Sequence, residues 1–160
     1  MDVFNELVKA LKNKQYHIAA AESCTAGLFC SHIAEIPGAS DVFSFGFVVY
    51  SEEAKCRILG VQPETITAFG VVSEQTATEM AVGAAQKADA EIGVSFTGFA
   101  GPGSDPGFPV GRVCFGYALN GVVTAETVEF GNIGRNAVRE QSAAHAARKV
   151  LKLLEAEVCS

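Results

Sequence analysis

The apolar residues near the start of the chain recur at helical intervals. They lie three or four positions apart, as on one face of an amphipathic helix, and are Phe4, Leu7, Val8 and Leu11. The next apolar run, residues 17–21, is short and leads directly into small polar side chains. A second helical segment over 27–35 follows it. The pattern therefore predicts a helix, a short strand and another helix, in that order.

Strand-like and helix-like segments alternate along the rest of the chain. Aromatic and β-branched content or alternation predicts strands at 43–50, 92–98, 113–119 and 122–130. The last two are joined by Asn120-Gly121, a strong hairpin signal. Capping residues, proline and glycine positions predict helices at 52–59, 63–70, 74–87 and 135–155. The inward positions predicted for the last helix are Val138, Ala143, Ala146, Val150 and Leu153.

Interleaved helices and strands predict an α/β fold, and the hairpin makes its sheet mixed rather than wholly parallel. No internal repeat, linker or low-complexity tract divides the chain, so we expect a single domain over residues 1–160. Residues 98–111 hold five glycines and three prolines. This segment is long for a loop in a small domain, which favours a functional role.

Composition narrows the class of protein. The 160 residues are 49% hydrophobic and 19% charged, which is typical of a folded globular protein. The net charge of −6 argues against a general partner of nucleic acid or anionic membranes, and no apolar run reaches the length of a membrane helix. Five cysteines without a C-x-x-C pair predict neither a disulfide framework nor a zinc site. We therefore expect a cytoplasmic protein without a bound metal.

Polar, small or cationic residues gather where the chain changes direction. Three such segments follow a predicted strand, and the fourth follows the second strand of the hairpin. Ligands of open α/β sheets bind beyond the carboxyl ends of the strands. We therefore expect the four segments to converge on one edge of the sheet: residues 22–25, 50–55, 97–103 and 131–135.

Local context leaves alternatives open for three of these residues. The Ser23 hydroxyl, at a tight strand-to-helix turn, either caps the helix or acts as an acyl-transfer nucleophile beside outward-pointing N–H groups. Lys55 is either a surface lysine or, if it is desolvated beside a serine, a base. Tyr50 is either an interfacial aromatic residue or a group that relays a proton or orients the base.

Arg135 and Arg139 are four residues apart and project from one face of the last helix. An arginine pair in the first turn of a helix opposes the helix dipole unless an anion binds there. This placement favours a phosphate or carboxylate ligand over plain solvation. The glycines of 98–111 serve either loop dihedral angles or a close approach of backbone N–H groups to phosphate.

Several motifs follow one another along nearly the whole chain: Ala-Glu-Ser-Cys-Thr-Ala-Gly at 21–27, Pro-Gly-Ala-Ser at 37–40, Tyr50-Ser51 with Ala54-Lys55, Leu-Gly-Val at 59–61, Gly-Val-Val-Ser at 70–73, Thr-Gly-Phe-Ala-Gly-Pro at 97–102, Pro-Val-Gly at 109–111, and Arg135 with Val138-Arg139. Together they resemble the C-terminal domain of the CinA family, also known as the PncC-type nicotinamide mononucleotide amidohydrolases. The resemblance implies a three-layer α/β/α sandwich and is compatible with a homodimer.

The resemblance also implies an activity, the hydrolysis of nicotinamide mononucleotide to nicotinate mononucleotide and ammonia without a cofactor. By position, Ser23 is the nucleophile and Lys55 the general base, and Tyr50 and Thr97 complete the polar network. The substrate-binding residues that it implies are Glu22, Cys24, Thr25, Gly98, Gly101, Arg135 and Arg139, with either arginine holding the phosphate.

Three positions depart from the family pattern. Ala26 stands where the family has glycine, Glu52 where it has asparagine, and Phe108 where it has lysine, for which Arg112 is a substitute cation. These departures keep two alternatives open. One is a non-catalytic nucleotide-binding or regulatory module of the same fold, and the other is an amidohydrolase for a related small amide.

Overall fold

Five strands form one mixed sheet in the computed structural model, which describes residues 2–159: β1 (Ile18–Glu22), β2 (Phe43–Val48), β3 (Ile92–Gly98), β4 (Arg112–Leu119) and β5 (Val122–Glu129). Their order across the sheet is β2-β1-β3-β4-β5. Strand β1 runs parallel to β2 and β3, whereas β4 is antiparallel to both β3 and β5. The carboxyl ends of β1, β2, β3 and β5 therefore share one edge, as expected.

Helices cover both faces of the sheet. Helices α1 (Val3–Lys14), α2 (Leu28–Ala34) and α6 (Arg135–Val158) enclose one apolar core, and α3 (Glu52–Leu59), α4 (Pro63–Phe69) and α5 (Glu74–Ala88) pack on the other face. A short 3-10 helix spans Ala39–Asp41. The predicted α/β sandwich with a mixed sheet is confirmed. Within residues 2–159, every helix is too short or too polar to cross a bilayer.

Two element boundaries differ from the prediction in ways that matter for the site. Strand β1 includes Glu22, one residue beyond the predicted end, and β2 stops at Val48, two residues before it. The N–H of Val49 still donates to the Glu22 carbonyl at 2.9 Å, while the Tyr50 carbonyl turns away from the sheet. This early departure of β2 frees the Tyr50 carbonyl to accept hydrogen bonds from side chains.

One predicted core position in α6 is wrong. Leu154 is buried, whereas Leu153 lies half-buried at the flank of the core. The buried positions of this helix continue from Val150 to Leu154 at a spacing of four residues, so Leu153 falls one position to the side. The other four predicted inward residues of the helix are buried.

Helix α5 lies so close to the sheet that glycine is required beneath it. A Cβ at Gly93 would overlap the Ala81 carbonyl oxygen, because the two atoms would lie far closer than van der Waals contact allows. Gly93→Ala is therefore expected to lower the free energy of unfolding by about 1–3 kcal/mol, because α5 must shift to admit the methyl group. In urea titrations the control Gly103→Ala, which meets no atom within 4 Å, should change stability by less than ~0.5 kcal/mol. Equal stability of the two variants would contradict the close packing.

Candidate active site

Ser23 lies where β1 turns sharply into α2. Its N–H donates to the Phe96 carbonyl at 3.0 Å, so the backbone is still held by the sheet when the side chain reaches the edge. Ala26 and Gly27 then adopt left-handed conformations, with φ of 49° and 94°. These two residues return the chain into α2 within a short turn. The Ser23 side chain is thereby fixed at the edge where the strands end.

Ala26 carries a backbone strain that a glycine at this position would avoid. The left-handed conformation costs an L-residue with a Cβ about 1–2 kcal/mol. Replacement by glycine recovers this cost, but it also stabilises the unfolded chain, in which glycine has greater conformational freedom, and this offsets part of the gain. Ala26→Gly is therefore expected to raise the free energy of unfolding by about 0.5–1 kcal/mol. Chemical denaturation measures this change directly. A loss of stability in Ala26→Gly would show that the methyl group makes packing contacts worth more than the strain.

Lys55 is directed inward by the start of α3. The Ser51 hydroxyl caps that helix by accepting from the N–H of Ala54 at 3.1 Å, which places Lys55 in the first turn. The lysine is only 1% exposed. Its Nζ lies 3.0 Å from the Ser23 Oγ, 2.9 Å from the Val49 carbonyl oxygen and 3.4 Å from the Tyr50 carbonyl oxygen. Within residues 2–159 no carboxylate forms an ion pair with it.

The surroundings of Lys55 suit a neutral amine. Burial lowers the pKa of Lys55 below its ordinary value, because the charged form loses its hydration. A neutral amine has two N–H groups and one lone pair. The two carbonyls of Val49 and Tyr50 can accept the two N–H bonds, which leaves the lone pair for the Ser23 hydroxyl proton. The arrangement is thus that of a nucleophile paired with a base.

All four predicted segments meet in one cleft beside this pair, with a volume of about 390 Å³. Eight predicted site residues line it: Ser23, Cys24, Tyr50, Lys55, Thr97, Gly98, Gly101 and Arg135. Sequence reasoning missed other lining residues, among them Val71, Val72, Phe99 and Asp105. Val71 and Val72 directly precede Ser73, which caps α5. The only indication in the sequence that they are exposed to the cleft is their position between two predicted helices.

Glu22 does not fit its predicted role in substrate binding. Its carboxylate is fully buried beneath the turn and accepts the N–H groups of Gly27 at 2.9 Å, Phe29 at 3.2 Å and Cys30 at 2.9 Å. Glu22 therefore caps α2 from below, a role for which the sequence analysis considered the Ser23 hydroxyl. It also occupies those three N–H groups, so they are not free to bind a ligand.

Thr25 and Arg139 also lie outside the residues that line the cleft. Thr25 is fully buried, and its Oγ1 makes no hydrogen bond within residues 2–159. Arg139 donates from Nε to the Cys24 carbonyl at 3.1 Å and from an Nη to the Thr25 carbonyl at 3.0 Å. This forked contact holds the turn in place, so Arg139 supports the site from behind.

Tyr50 and Thr97 contribute differently from the prediction. The Tyr50 hydroxyl accepts from Arg135 at 2.8 Å, and it is the Tyr50 backbone carbonyl that contacts Lys55. The Thr97 hydroxyl donates to the Val71 carbonyl at 2.8 Å, which anchors the wall of the cleft. Arg135 also donates to the Gly101 carbonyl at 2.7 Å. It thus links Tyr50 to the glycine-rich loop.

Two further predictions concern Cys24 and Arg112. Burial raises the pKa of the Cys24 thiol to about 12, so this cysteine is protonated at neutral pH and is not a competing nucleophile. Arg112 is ion-paired with Glu129 on the neighbouring strand and lies against the ring of Phe108. It does not line the cleft, so it does not serve there as the substitute cation that the family pattern suggested.

Comparison with known proteins agrees with the fold and the motifs. The family model of the CinA C-terminal domain matches residues 2–154. A competence/damage-inducible protein, CihA, from Agrobacterium tumefaciens is 38% identical, with a TM-score of 0.87 over 94% of this chain and 95% of that one. One from Enterobacter asburiae is 36% identical, with a TM-score of 0.90 over 94% and 98% of the two chains.

Longer relatives match as well. A CinA-like protein from Kosmotoga olearia is 45% identical over 141 residues, which are 88% of this chain and 34% of that protein. A putative competence-damage inducible protein from Limosilactobacillus fermentum gives 45% identity over 86% of this chain and 34% of its own. The chain thus spans about a third of the length of such relatives. Because the family model covers nearly all of it, this chain belongs to the CinA family and corresponds to its C-terminal domain.

Proposed function

We propose that this chain is an amidohydrolase that converts nicotinamide mononucleotide to nicotinate mononucleotide and ammonia through an acyl-enzyme on Ser23. The observation that carries the proposal is the buried Lys55 Nζ at 3.0 Å from the Ser23 Oγ. A serine needs an adjacent base to attack an amide. A lysine without a carboxylate partner and with a lowered pKa meets that need.

The chemistry proceeds in two halves. In the first, Ser23 Oγ attacks the carboxamide carbon while Lys55 takes the hydroxyl proton, and Lys55 then gives a proton to the departing nitrogen, which leaves as ammonia. In the second, water attacks the ester carbon and Lys55 accepts its proton. Lys55 returns that proton to the Ser23 oxygen as the ester bond breaks, which releases the carboxylate product.

The turn after Ser23 supplies a donor for the negative charge that develops on the amide oxygen. The N–H groups of Cys24 and Thr25 donate to no backbone carbonyl in the described part of the chain, in contrast to those of Gly27, Phe29 and Cys30. We assign the Cys24 N–H to the oxyanion, because Cys24 directly follows the nucleophile and lines the cleft, whereas Thr25 does not line it. Of the two arginines predicted for the phosphate, we assign Arg135, because it lines the cleft and Arg139 is committed to the turn.

Ammonia release by the purified chain tests the proposed function. Wild-type protein should release ammonia and nicotinate mononucleotide in equal amounts from nicotinamide mononucleotide, and Ser23→Ala should lower kcat by on the order of 10⁴-fold or more. A panel with free nicotinamide and other small amides separates this substrate from related ones. Tight calorimetric binding of the nucleotide without any product would favour the non-catalytic nucleotide-binding module instead.

A further inference from the structure

The charges in the cleft are unevenly distributed around the reacting pair. Besides the buried Lys55, the ionisable side chains that line the cleft are Glu52, Asp105 and Arg135, apart from the tyrosine and the cysteine. Two carboxylates therefore face one guanidinium. Arg135 already donates to the Tyr50 hydroxyl and the Gly101 carbonyl. The cleft therefore offers carboxylates to a cationic part of a ligand, as well as the Arg135 guanidinium assigned to its phosphate.

Glu52 is the carboxylate best placed to act on a bound ring. It precedes Lys55 by three residues on α3, so both side chains project from the same face of the helix, and both line the cleft. Its carboxylate forms no hydrogen bond or ion pair with another residue of the described chain. The adjacent Glu53, in contrast, pairs with Arg57 at 3.7 Å and does not line the cleft.

An aromatic side chain adds to the preference for positive charge. Phe99 lines the same cleft and packs against Phe108, with ring centroids 5.5 Å apart. The face of an aromatic ring attracts a cation. The carboxylate and the aromatic ring therefore both interact more favourably with a planar ring that is cationic than with the same ring when it is neutral.

We propose that Glu52 determines the specificity of the cleft by selecting amides whose ring carries a positive charge. This inference rests on the proposed function and extends it to a residue outside the reacting pair. In nicotinamide mononucleotide the pyridinium nitrogen bears the charge. The reduced nucleotide, in which the ring is a neutral dihydropyridine, has the same carboxamide, ribose and phosphate. The two compounds therefore isolate the effect of ring charge.

Calorimetric titration in a Ser23→Ala background tests the proposal without turnover. The ratio of Kd for the reduced nucleotide to Kd for the cationic one should be about tenfold or more. Adding Glu52→Gln should bring the ratio close to one, mainly by weakening the cationic ligand. The matched control Glu53→Gln removes the same charge from the neighbouring position and should preserve the ratio. An unchanged ratio in Glu52→Gln would overturn the proposal.

A second readout is the pH dependence of kcat/KM in the otherwise wild-type enzyme. The titratable groups that act on Lys55 are Cys24, Glu52 and Cys56. Burial raises the pKa of both thiols, so the negative charge among the three is that of Glu52, which raises the pKa of Lys55 against the lowering by burial. Glu52→Gln should therefore shift the rise of kcat/KM to lower pH, whereas Glu53→Gln should not. A merely structural role for Glu52 predicts no such shift.

The outcomes separate this proposal from the proposed function. If wild-type protein releases ammonia but Glu52→Gln leaves the Kd ratio unchanged, only the assignment of Glu52 fails. If the Ser23→Ala protein binds the cationic nucleotide with the expected ratio but wild type releases no ammonia, the hydrolase assignment fails and the specificity of the cleft stands. If neither nucleotide binds, both are overturned.

Discussion

Lys55→Met is expected to lower kcat/KM for ammonia release by about 10³-fold while the chain stays folded. Methionine has a similar length and removes the only base that lies within hydrogen-bonding distance of the Ser23 Oγ among residues 2–159, and a positioned general base contributes about 10²–10⁴-fold. The loss of kcat/KM in Lys55→Met should persist at every pH, because methionine does not titrate. In the wild type, kcat/KM should instead rise with pH through the pKa of Lys55, which lies below that of an ordinary lysine.

The stability of Lys55→Met must be measured alongside its rate. Removing the buried amine relieves a desolvated polar group but leaves the Val49 and Tyr50 carbonyls without their donor, and these effects oppose each other. We expect the free energy of unfolding in urea to stay within about 2 kcal/mol of wild type. The control Lys87→Met removes an exposed lysine and should leave the rate unchanged. Activity of Lys55→Met within tenfold of wild type would exclude Lys55 as the base.

Glu22→Gln is expected to lower the free energy of unfolding by about 3 kcal/mol. The carboxylate accepts three buried N–H groups through both of its oxygens, and a glutamine amide presents an N–H₂ group where one oxygen stood. At least one buried N–H then loses its acceptor, which costs about 1–3 kcal/mol. The favourable interaction of a negative charge with the start of α2 is lost as well, worth up to ~2 kcal/mol.

Urea unfolding with Glu53→Gln as the control measures this effect. Glu53 is exposed, and its ion pair with Arg57 is long, so its loss should cost less than about 0.5 kcal/mol. Because Glu22 holds the turn that carries Ser23, the Glu22→Gln protein should also lose activity under conditions where it is still folded. If Glu22→Gln is as stable as Glu53→Gln, the carboxylate does not cap the helix as described.

The sequence predicts that the polar segments meet at one edge of the sheet better than it predicts the role of each residue there. The alternation of elements and the hairpin predict a mixed α/β sheet, and the ends of its strands bring the four polar segments to one edge. The family resemblance implies a substrate-binding role for Glu22, whereas its carboxylate caps α2. The missed signal was the start of α2, where Ala26 and Gly27 offer no capping side chain, so its free N–H groups required an acceptor from elsewhere.

Other features depend on tertiary contacts that periodicity does not encode. The register of β2 against β1 shifts between Ile18 and Ala20, and the one sequence signal for it is Gly46, an isolated glycine within a strand, which indicates a bulge or a close approach without fixing the register. The burial of Lys55 depends on the carbonyls of Val49 and Tyr50, which become available only because β2 ends early. Arg139 donates to two carbonyls more than a hundred residues away in the chain. Such pairings are set by how α6 packs against the turn.

Interception of the acyl-enzyme by hydroxylamine tests the central claim most directly. Wild-type protein turning over nicotinamide mononucleotide in the presence of hydroxylamine should form the nucleotide hydroxamate together with nicotinate mononucleotide, because both nucleophiles attack the ester on Ser23. The Ser23→Ala protein should form neither. Release of ammonia without any hydroxamate, or turnover by Ser23→Ala, would contradict a covalent mechanism through Ser23.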